Sequence, residues 1–420
     1  MSELQRAWAK SKITLSHEPF GAIDDVEEET QVTEVPEHTD DDSSSASSVS
    51  STGTIIPTPS QKLFARPEGL ARSRTLEQIP WTVYFERELF LEADDKPDVK
   101  FHAYLTSPVE KGPLFVMHHG AGSSALSFAV VGSEMRKRLP SAGLLAVDCR
   151  GHGATVSPEG ASLDLRLETL SSDLHRMIRS TSDKMKWETL PNIILVGHSL
   201  GGAVVTDLAK SKALGKSLLG YAVLDVVEGS AIDALKSMQT YLSTRPVGFA
   251  STQEAIDWHI RSRTIRNSTS ARTSVPPLLV GDESADGTRR WRWRTNLAAT
   301  QPFWEGWFEG LSKKFLGATG GKLLLLAGTD RLDTELTIGQ MQGSPHENEG
   351  MLACRRADAN GGCITGKYAL QVFPEAGHFI QEDIPEKTAI ALVEFYRRND
   401  RSALVLPPKV SEMLRQGKKV

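Results

Sequence analysis

Six short apolar runs, separated by segments with helical periodicity, constrain the fold of this chain most strongly. Each run has the length of one buried strand, and helix-like segments cover residues 125–138, 165–181, 200–213 and 385–398. Strands that alternate with helices predict a mostly parallel central sheet with helices on both faces. The runs are "PLFVMHHG", "GLLAVDCRG", "NIILVGHS", "GYAVLDVV", "KLLLLAGTD" and "ALQVFPEAGH".

Two further features define the domain organisation. Before the first run, "VYFERELFLEA" and "VKFHAYLTS" alternate apolar and polar residues, which predicts an antiparallel hairpin. Residues 227–320 then separate two consecutive strands, and so long a connection predicts a cap subdomain, which we expect to be helical. The core is therefore expected in two parts, 76–226 and 321–400.

The remaining segments are polar. Residues 1–75 contain an acidic stretch and then a serine-rich stretch with few bulky apolar side chains, so we expect a disordered leader, since burial would not offset its ordering entropy. Residues 343–366 are rich in glycine and polar groups, which indicates a loop insertion in the second part of the core. Residues 401–420 form a mildly basic tail.

Composition excludes several classes of function. The formal net charge of −5 is too small to indicate binding to nucleic acid or to a charged membrane. No apolar stretch approaches the roughly 20 residues that span a bilayer, and no secretory signal is visible. Cys149, Cys354 and Cys363 are odd in number and lack the spacing of metal ligands. We therefore expect a cytoplasmic protein, with the nucleus as a second compartment.

The segment Gly197-His198-Ser199-Leu200-Gly201 matches the G-x-S-x-G nucleophile elbow. In this motif the serine lies in a strained turn between a strand and a helix, and side chains in place of the two glycines would collide with neighbouring atoms. The apolar run "IILV" precedes the motif and a helix-compatible segment follows it. Ser199 is therefore the candidate nucleophile.

A serine hydroxyl needs a base to accept its proton. Among the eleven histidines, His378 follows the last predicted strand, where an α/β-hydrolase places its base. Asp225 and Asp330 each end a predicted strand between Ser199 and His378 in the chain, so each could supply the acid of a Ser-acid-His triad. The order of residues leaves both aspartates open, with a slight positional preference for Asp330.

An oxyanion hole requires backbone N–H groups that point at the tetrahedral intermediate. We expect the first from Leu200, directly after the nucleophile. The second is expected from Ala121, because "HGAG" at 119–122 is similar to the HGxG turn of esterases. The turn "DCRGHG" at 148–153 is interpreted as structural. This chemistry needs no metal and no organic cofactor.

Several stretches outside these motifs resemble one family, the protein phosphatase methylesterases. The resemblance extends over about residues 80–400, and "LDVVEG" and "TIGQMQG" are its most distinctive parts. A further stretch at 261–276 is also similar. The main stretches are "LDVVEGSAIDAL", "TQPFWEGWFEGLSKKFL", "KLLLLAGTDRLDTELTIGQMQG" and "GHFIQEDIPEKTA".

The resemblance implies hydrolysis of the methyl ester on the C-terminal leucine of the protein phosphatase 2A catalytic subunit, which would be both substrate and binding partner. It also implies that the aspartate of "DVVEG", Asp225, completes the triad, and that Asp330 is a structural or pocket residue. The loop at 343–366 is longer than the family pattern, which puts local substrate contacts in doubt more than the reaction.

The cap contains two groups of residues typical of protein interfaces. Core packing is the main alternative for the tryptophans, and a solvated face is the alternative for the arginines. These residues are Trp291, Trp293, Trp304 and Trp307, and Arg289, Arg290, Arg292 and Arg294.

Two other functions compete with this interpretation. A carboxylesterase or amidase acting on small molecules would use the same triad, and it would cleave small esters rapidly. A hydrolase fold that serves only as a binding scaffold would often lack a triad member, whereas Ser199, His378 and both candidate acids are present.

Overall fold

An eight-stranded sheet organises the part of the chain that the structure describes. The structure is a computed structural model. The expected leader (1–75), loop insertion (343–366) and tail (401–420) lie outside the described residues. Described are residues 76–93, 96–158, 160, 163–281, 290–342 and 368–400.

The sheet has the strand order β1-β2-β4-β3-β5-β6-β10-β11. The β1–β2 and β2–β4 pairs are antiparallel, as expected for the hairpin, and all later pairs are parallel. The strands are β1 (Arg87–Ala93), β2 (Lys96–Thr106), β3 (Leu114–His118), β4 (Gly143–Asp148), β5 (Ile193–His198), β6 (Leu218–Leu224), β7 (Gly248–Phe249), β8 (Leu279–Gly281), β9 (Trp291–Trp293), β10 (Gly321–Leu326) and β11 (Ala369–Val372).

The helices lie where the periodicity predicts them in the core, and more of them occur in the cap. They are α1 (Ala129–Arg138), α2 (Leu167–Met185), α3 (Leu200–Ser211), α4 (Glu228–Lys236), α5 (Met238–Thr244), α6 (Thr252–Arg261), α7 (Ser268–Ser274), α8 (Trp304–Phe308), α9 (Leu311–Gly317), α10 (Thr334–Gln342), α11 (Ile380–Asp383) and α12 (Pro385–Asn399). Short 3-10 turns occur at Trp81–Val83, Ala125–Phe128, Gly215–Ser217, Pro276–Leu278, Leu297–Phe303 and Thr329–Arg331.

Both faces of the sheet are covered, which explains why the central strands are apolar throughout. Every residue of β3, β4 and β5 is buried. On one face, α2 and α3 contribute residues such as Leu174 and Val204 to the larger apolar core. On the other face, α1 and α12 contribute residues such as Met135 and Phe395 to a second core. This arrangement confirms the predicted mostly parallel sheet between two helical layers.

The insertion between β6 and β10 is largely helical, as expected, and it also contains a small antiparallel sheet. That sheet has the order β7-β9-β8 and packs with α6 and α7 around Phe249, Ile256 and Leu279. Sequence periodicity did not predict it, because strands of two or three residues are too short to show alternation. The last helices of the insertion, α8 and α9, contribute Trp307 and Phe315 to the larger core of the main sheet.

Candidate active site

Ser199 occupies the sharp turn between β5 and α3. Its backbone dihedrals are φ 53° and ψ −121°, a left-handed conformation that is unusual for any residue except glycine. Two hydrogen bonds support the turn: Ser199 N–H donates to the Leu224 carbonyl at 3.0 Å, and Gly202 N–H donates to the Ser199 carbonyl at 2.7 Å. Strain held by its surroundings is typical of a functional position.

The flanking glycines are needed because backbone atoms approach them closely. A Cβ atom at Gly197 would lie 2.1 Å from the carbonyl oxygen of Gly201, and one at Gly201 would lie 2.1 Å from that of His118. Neither contact is compatible with a side chain. The structure therefore has the geometry that the G-x-S-x-G pattern predicts.

His378 is paired with Asp225. Asp225 directly follows β6, and its Oδ2 atom lies 2.8 Å from Nδ1 of His378. Asp225 is only 3% exposed, and its Oδ1 accepts a hydrogen bond from the Ala327 N–H at 2.9 Å. Asp330, the alternative acid, lies in the 3-10 turn Thr329–Arg331, but its side chain is not among those that the structure describes.

Arg331 was not singled out in the sequence, although it contacts the same carboxylate. Its Nη1 donates a hydrogen bond to Oδ2 of Asp225, and the same oxygen accepts the hydrogen bond from Nδ1 of His378. Burial alone would raise the pKa of Asp225, but the hydrogen bond from His378 and the charge of Arg331 lower it below its usual value. Asp225 is therefore held as a carboxylate.

Ser199 and His378 line one cavity of about 330 Å³. Among the described residues, no hydrogen bond joins the Ser199 hydroxyl to the His378 ring. Proton transfer consequently requires the two groups to approach each other when substrate binds, as is common for catalytic groups in unliganded enzymes.

The two candidate oxyanion donors lie on the same cavity. Ala121 and Leu200 both line it, and neither N–H has a hydrogen-bond acceptor within the described ranges. The neighbouring loop approaches the nucleophile closely, since a Cβ atom at Gly120 would lie 3.0 Å from Cβ of Ser199. Both amides are therefore available to a developing oxyanion.

The "DCRGHG" turn holds this oxyanion loop in place, which gives its expected structural role a mechanism. Gly122 N–H donates to Nε2 of His152 at 2.9 Å, and Ala125 N–H donates to Oδ1 of Asp148 at 2.7 Å. His152 must be neutral to accept this bond, and burial lowers its pKa.

His198 positions the loop that carries the base. Its Nε2 donates to the backbone carbonyl of His378 at 2.8 Å. Burial lowers the pKa of His198 to about 3, so its ring is neutral near pH 7. The residue before the nucleophile is thus bonded to the backbone of the candidate base.

The cap tryptophans divide into two groups. Trp304 and Trp307 are 6% and 2% exposed, and the Trp307 indole donates to the Leu165 carbonyl at 2.6 Å, so they are part of the core. Trp291 and Trp293 lie half-buried on β9.

The cap arginines also differ from one another. Arg290 and Arg292 are exposed, and Arg289 lies outside the described residues. The guanidinium of Arg294 donates to the carbonyls of Pro277 and Leu279 at 3.0 and 3.1 Å. Docking through these arginines remains a prediction.

Five of the six buried histidines in the described part of the chain have lowered pKa values, which make stability depend on pH. Burial lowers the pKa of each below the ordinary value of 6.5, to about 4 for two of them and about 3 for two others. In the unfolded chain each histidine binds a proton as pH falls through 6.5, whereas in the native state the four with pKa values near 3 or 4 stay neutral. The residues are His118, His119, His152, His198 and His259.

We therefore expect the free energy of unfolding to decrease as pH falls from 6.5 to 5.5, by about 1 kcal/mol for each of the four histidines whose pKa lies near 3 or 4. His102 acts in the opposite direction, because Asp148 and Glu88 raise its pKa despite its burial, and it offsets part of the loss. Urea unfolding at pH 7.5, 6.5 and 5.5 measures the change, and His259→Gln should lower the slope. A flat profile would contradict the expectation.

The fold defines an α/β-hydrolase, and Ser199 is its candidate nucleophile. The family described as Alpha/beta hydrolase family matches residues 115–391. Among solved structures, E-2-(acetamidomethylene)succinate hydrolase superimposes with a TM-score of 0.52 at 19% identity, covering 74% of this chain and 99% of that chain. At this identity the likeness shows the fold alone.

Curated relatives are much more similar. Protein phosphatase methylesterase 1 of Gibberella zeae is 67% identical, and that of Neurospora crassa is 59% identical, each over 100% of both chains. Protein phosphatase methylesterase 1 of Aspergillus oryzae is 55% identical over 98% of this chain and 93% of the relative. The chain belongs to the protein phosphatase methylesterase family, as the sequence motifs indicated.

Proposed function

We propose that this chain removes the methyl ester from the C-terminal leucine of the protein phosphatase 2A catalytic subunit. One observation supports the chemistry most directly: the Asp225–His378 pair and the strained Ser199 elbow open on the same cavity. The names of the curated relatives support a protein phosphatase as the substrate. The apolar part of the cavity wall suits a leucine side chain and includes Leu235, Met238, Leu278 and Leu297.

The first half-reaction forms an acyl-enzyme. Nε2 of His378 removes the proton of the Ser199 hydroxyl, and Oγ attacks the leucine carbonyl carbon. The N–H groups of Leu200 and Ala121 stabilise the oxyanion of the tetrahedral intermediate. The intermediate collapses with cleavage of the carbon–methoxy bond, and methoxide leaves as methanol with the proton from His378.

The second half-reaction releases the product. His378 removes a proton from water, which attacks the acyl carbon and displaces Ser199, and the serine regains its proton from His378. The Asp225 carboxylate orients the ring through Nδ1–H and stabilises the imidazolium in both steps. Leucine leaves with a free carboxylate.

The test compares two substrates. We expect the protein to release methanol from the fully methylated catalytic subunit, while cleaving a short-chain nitrophenyl ester slowly, since binding energy from a protein substrate would be used for catalysis. The demethylated subunit is the blank. Rapid cleavage of the small ester without methanol release from the subunit would instead favour the small-molecule esterase.

A further inference from the structure

A half-buried cation on the cap side of the catalytic cavity has no hydrogen-bond acceptor among the described residues. Arg245 follows α5 and lines the same cavity as Ser199. No described residue accepts a hydrogen bond from its guanidinium or forms an ion pair with it. Burial lowers the pKa of Arg245, but an arginine side chain remains protonated in proteins. The half-buried guanidinium lines the cavity, where a bound ligand can supply a charged partner.

Aromatic side chains fix the position of this guanidinium. The Cζ atom of Arg245 lies 3.7 Å from the centre of the Trp293 ring. Trp293 is itself held, because its indole donates to the carbonyl of Pro246 at 2.7 Å and its ring packs edge-on against Phe249 and Trp258. Stacking covers a face of the guanidinium and leaves its N–H edge for a planar anion.

The two acids of the cavity wall do not neutralise Arg245. Asp225 is bound to His378 and Arg331. Glu382 accepts a hydrogen bond from Ser274, and its burial raises the pKa of the carboxyl well above its ordinary value, which disfavours its charged form. Neither carboxyl forms an ion pair with Arg245 within the described residues, so the guanidinium presents its positive charge to the cavity.

We propose that Arg245 binds the carboxylate of an acidic side chain in the substrate peptide, on the N-terminal side of the esterified residue. The reacting carbonyl must lie between Ser199 and the oxyanion amides of the core, whereas Arg245 belongs to the cap. A part of the peptide other than the reacting ester therefore contacts the guanidinium. This inference rests on the proposed function, because it assigns a specificity subsite for a peptide ester.

The test uses peptide methyl esters in pairs that differ only by Asp or Asn, with the pair moved through successive positions before the C-terminal leucine. In the wild type we expect one position at which Asp raises kcat/KM about tenfold to a hundredfold over Asn, the usual range for a hydrogen bond to a charged group. Arg245→Gln should bring this ratio close to one, and Arg245→Lys should keep part of it.

The ratio of kcat/KM for the Asp and Asn peptides is independent of the overall activity of a variant, because both peptides of a pair are cleaved by the same variant. Arg261→Gln is the matched control: this cap arginine is 80% exposed and pairs with Asp257, and the variant should keep the wild-type ratio. The Lys variant tests the proposal on its own if the Gln variant does not fold.

An unchanged ratio in Arg245→Gln, or the absence of any Asp preference in the wild type, would overturn the inference. These results differ from failure of the proposed function, in which no peptide ester would be hydrolysed by wild-type protein above the rate of Ser199→Ala.

Discussion

Replacing Ser199 with alanine is expected to lower kcat for the methylated substrate by about 10⁴-fold to 10⁶-fold, the range found when a triad nucleophile is removed. No other hydroxyl is expected to take its place in the elbow between β5 and α3. Methanol release measured under single-turnover conditions gives the residual rate. Turnover within tenfold of the wild type would contradict the assignment of the nucleophile.

The control distinguishes lost chemistry from lost structure. Ser211 lies at the other end of the same helix, where its hydroxyl donates to the Leu208 carbonyl at 2.7 Å in an exposed position. Ser211→Ala should retain wild-type turnover. Ser199→Ala should unfold near the wild-type temperature, because the hydrogen bonds of the elbow use the backbone of Ser199 and not its side chain. Ser211→Ala should also unfold near it, because the hydrogen bonds of the Ser211 hydroxyl lie at an exposed position.

The second large effect is expected at the triad acid. Asp225→Asn keeps the shape of the side chain but removes the charge that stabilises the imidazolium, and the amide favours the wrong tautomer of His378. A loss of about 10⁴-fold in kcat is the typical result of this substitution in a serine triad. The rate of methanol release by Asp225→Asn and Asp330→Asn, measured side by side, checks the expectation.

The order of the two losses assigns the acid. We expect the larger loss at Asp225, because Asp225 lies 2.8 Å from the His378 ring. A larger loss at Asp330 would transfer the role to that residue. Normal unfolding temperatures for both variants are required, since Asp225 also binds Ala327 N–H and Arg331.

The sequence was sufficient to predict those features of the structure that local chemistry determines. A Cβ atom at Gly197 or at Gly201 would lie 2.1 Å from a backbone oxygen, so both positions require glycine and their spacing identifies the elbow before any fold is known. The core strands could be predicted because burial on both faces demands continuous apolar runs. The residues alone could not decide between Asp225 and Asp330 as the triad acid, because both follow strands of the same sheet. Only the resemblance favoured Asp225, and the distance to His378 supports it.

The remaining features depend on contacts between distant segments. Arg331 reaches Asp225 across 106 residues, and His198 bonds to His378 across 180 residues. No periodicity or motif encodes such pairs. The environment of Arg245 could not be predicted either, because the lack of a counter-ion within the described residues is visible only in the folded structure. The three short strands of the cap lacked enough residues for a pattern.

The packing of α8 and α9 has a consequence for protein engineering. Trp307 and Phe315 belong to the core of the main sheet, although they lie at the end of the cap insertion. Tyr221 of β6 also donates to the Phe315 carbonyl in the interior. A variant of the enzyme that lacks the cap would therefore have to keep the chain from Trp304 onwards. An exchange of caps between homologues should likewise replace only the segment that ends before Trp304.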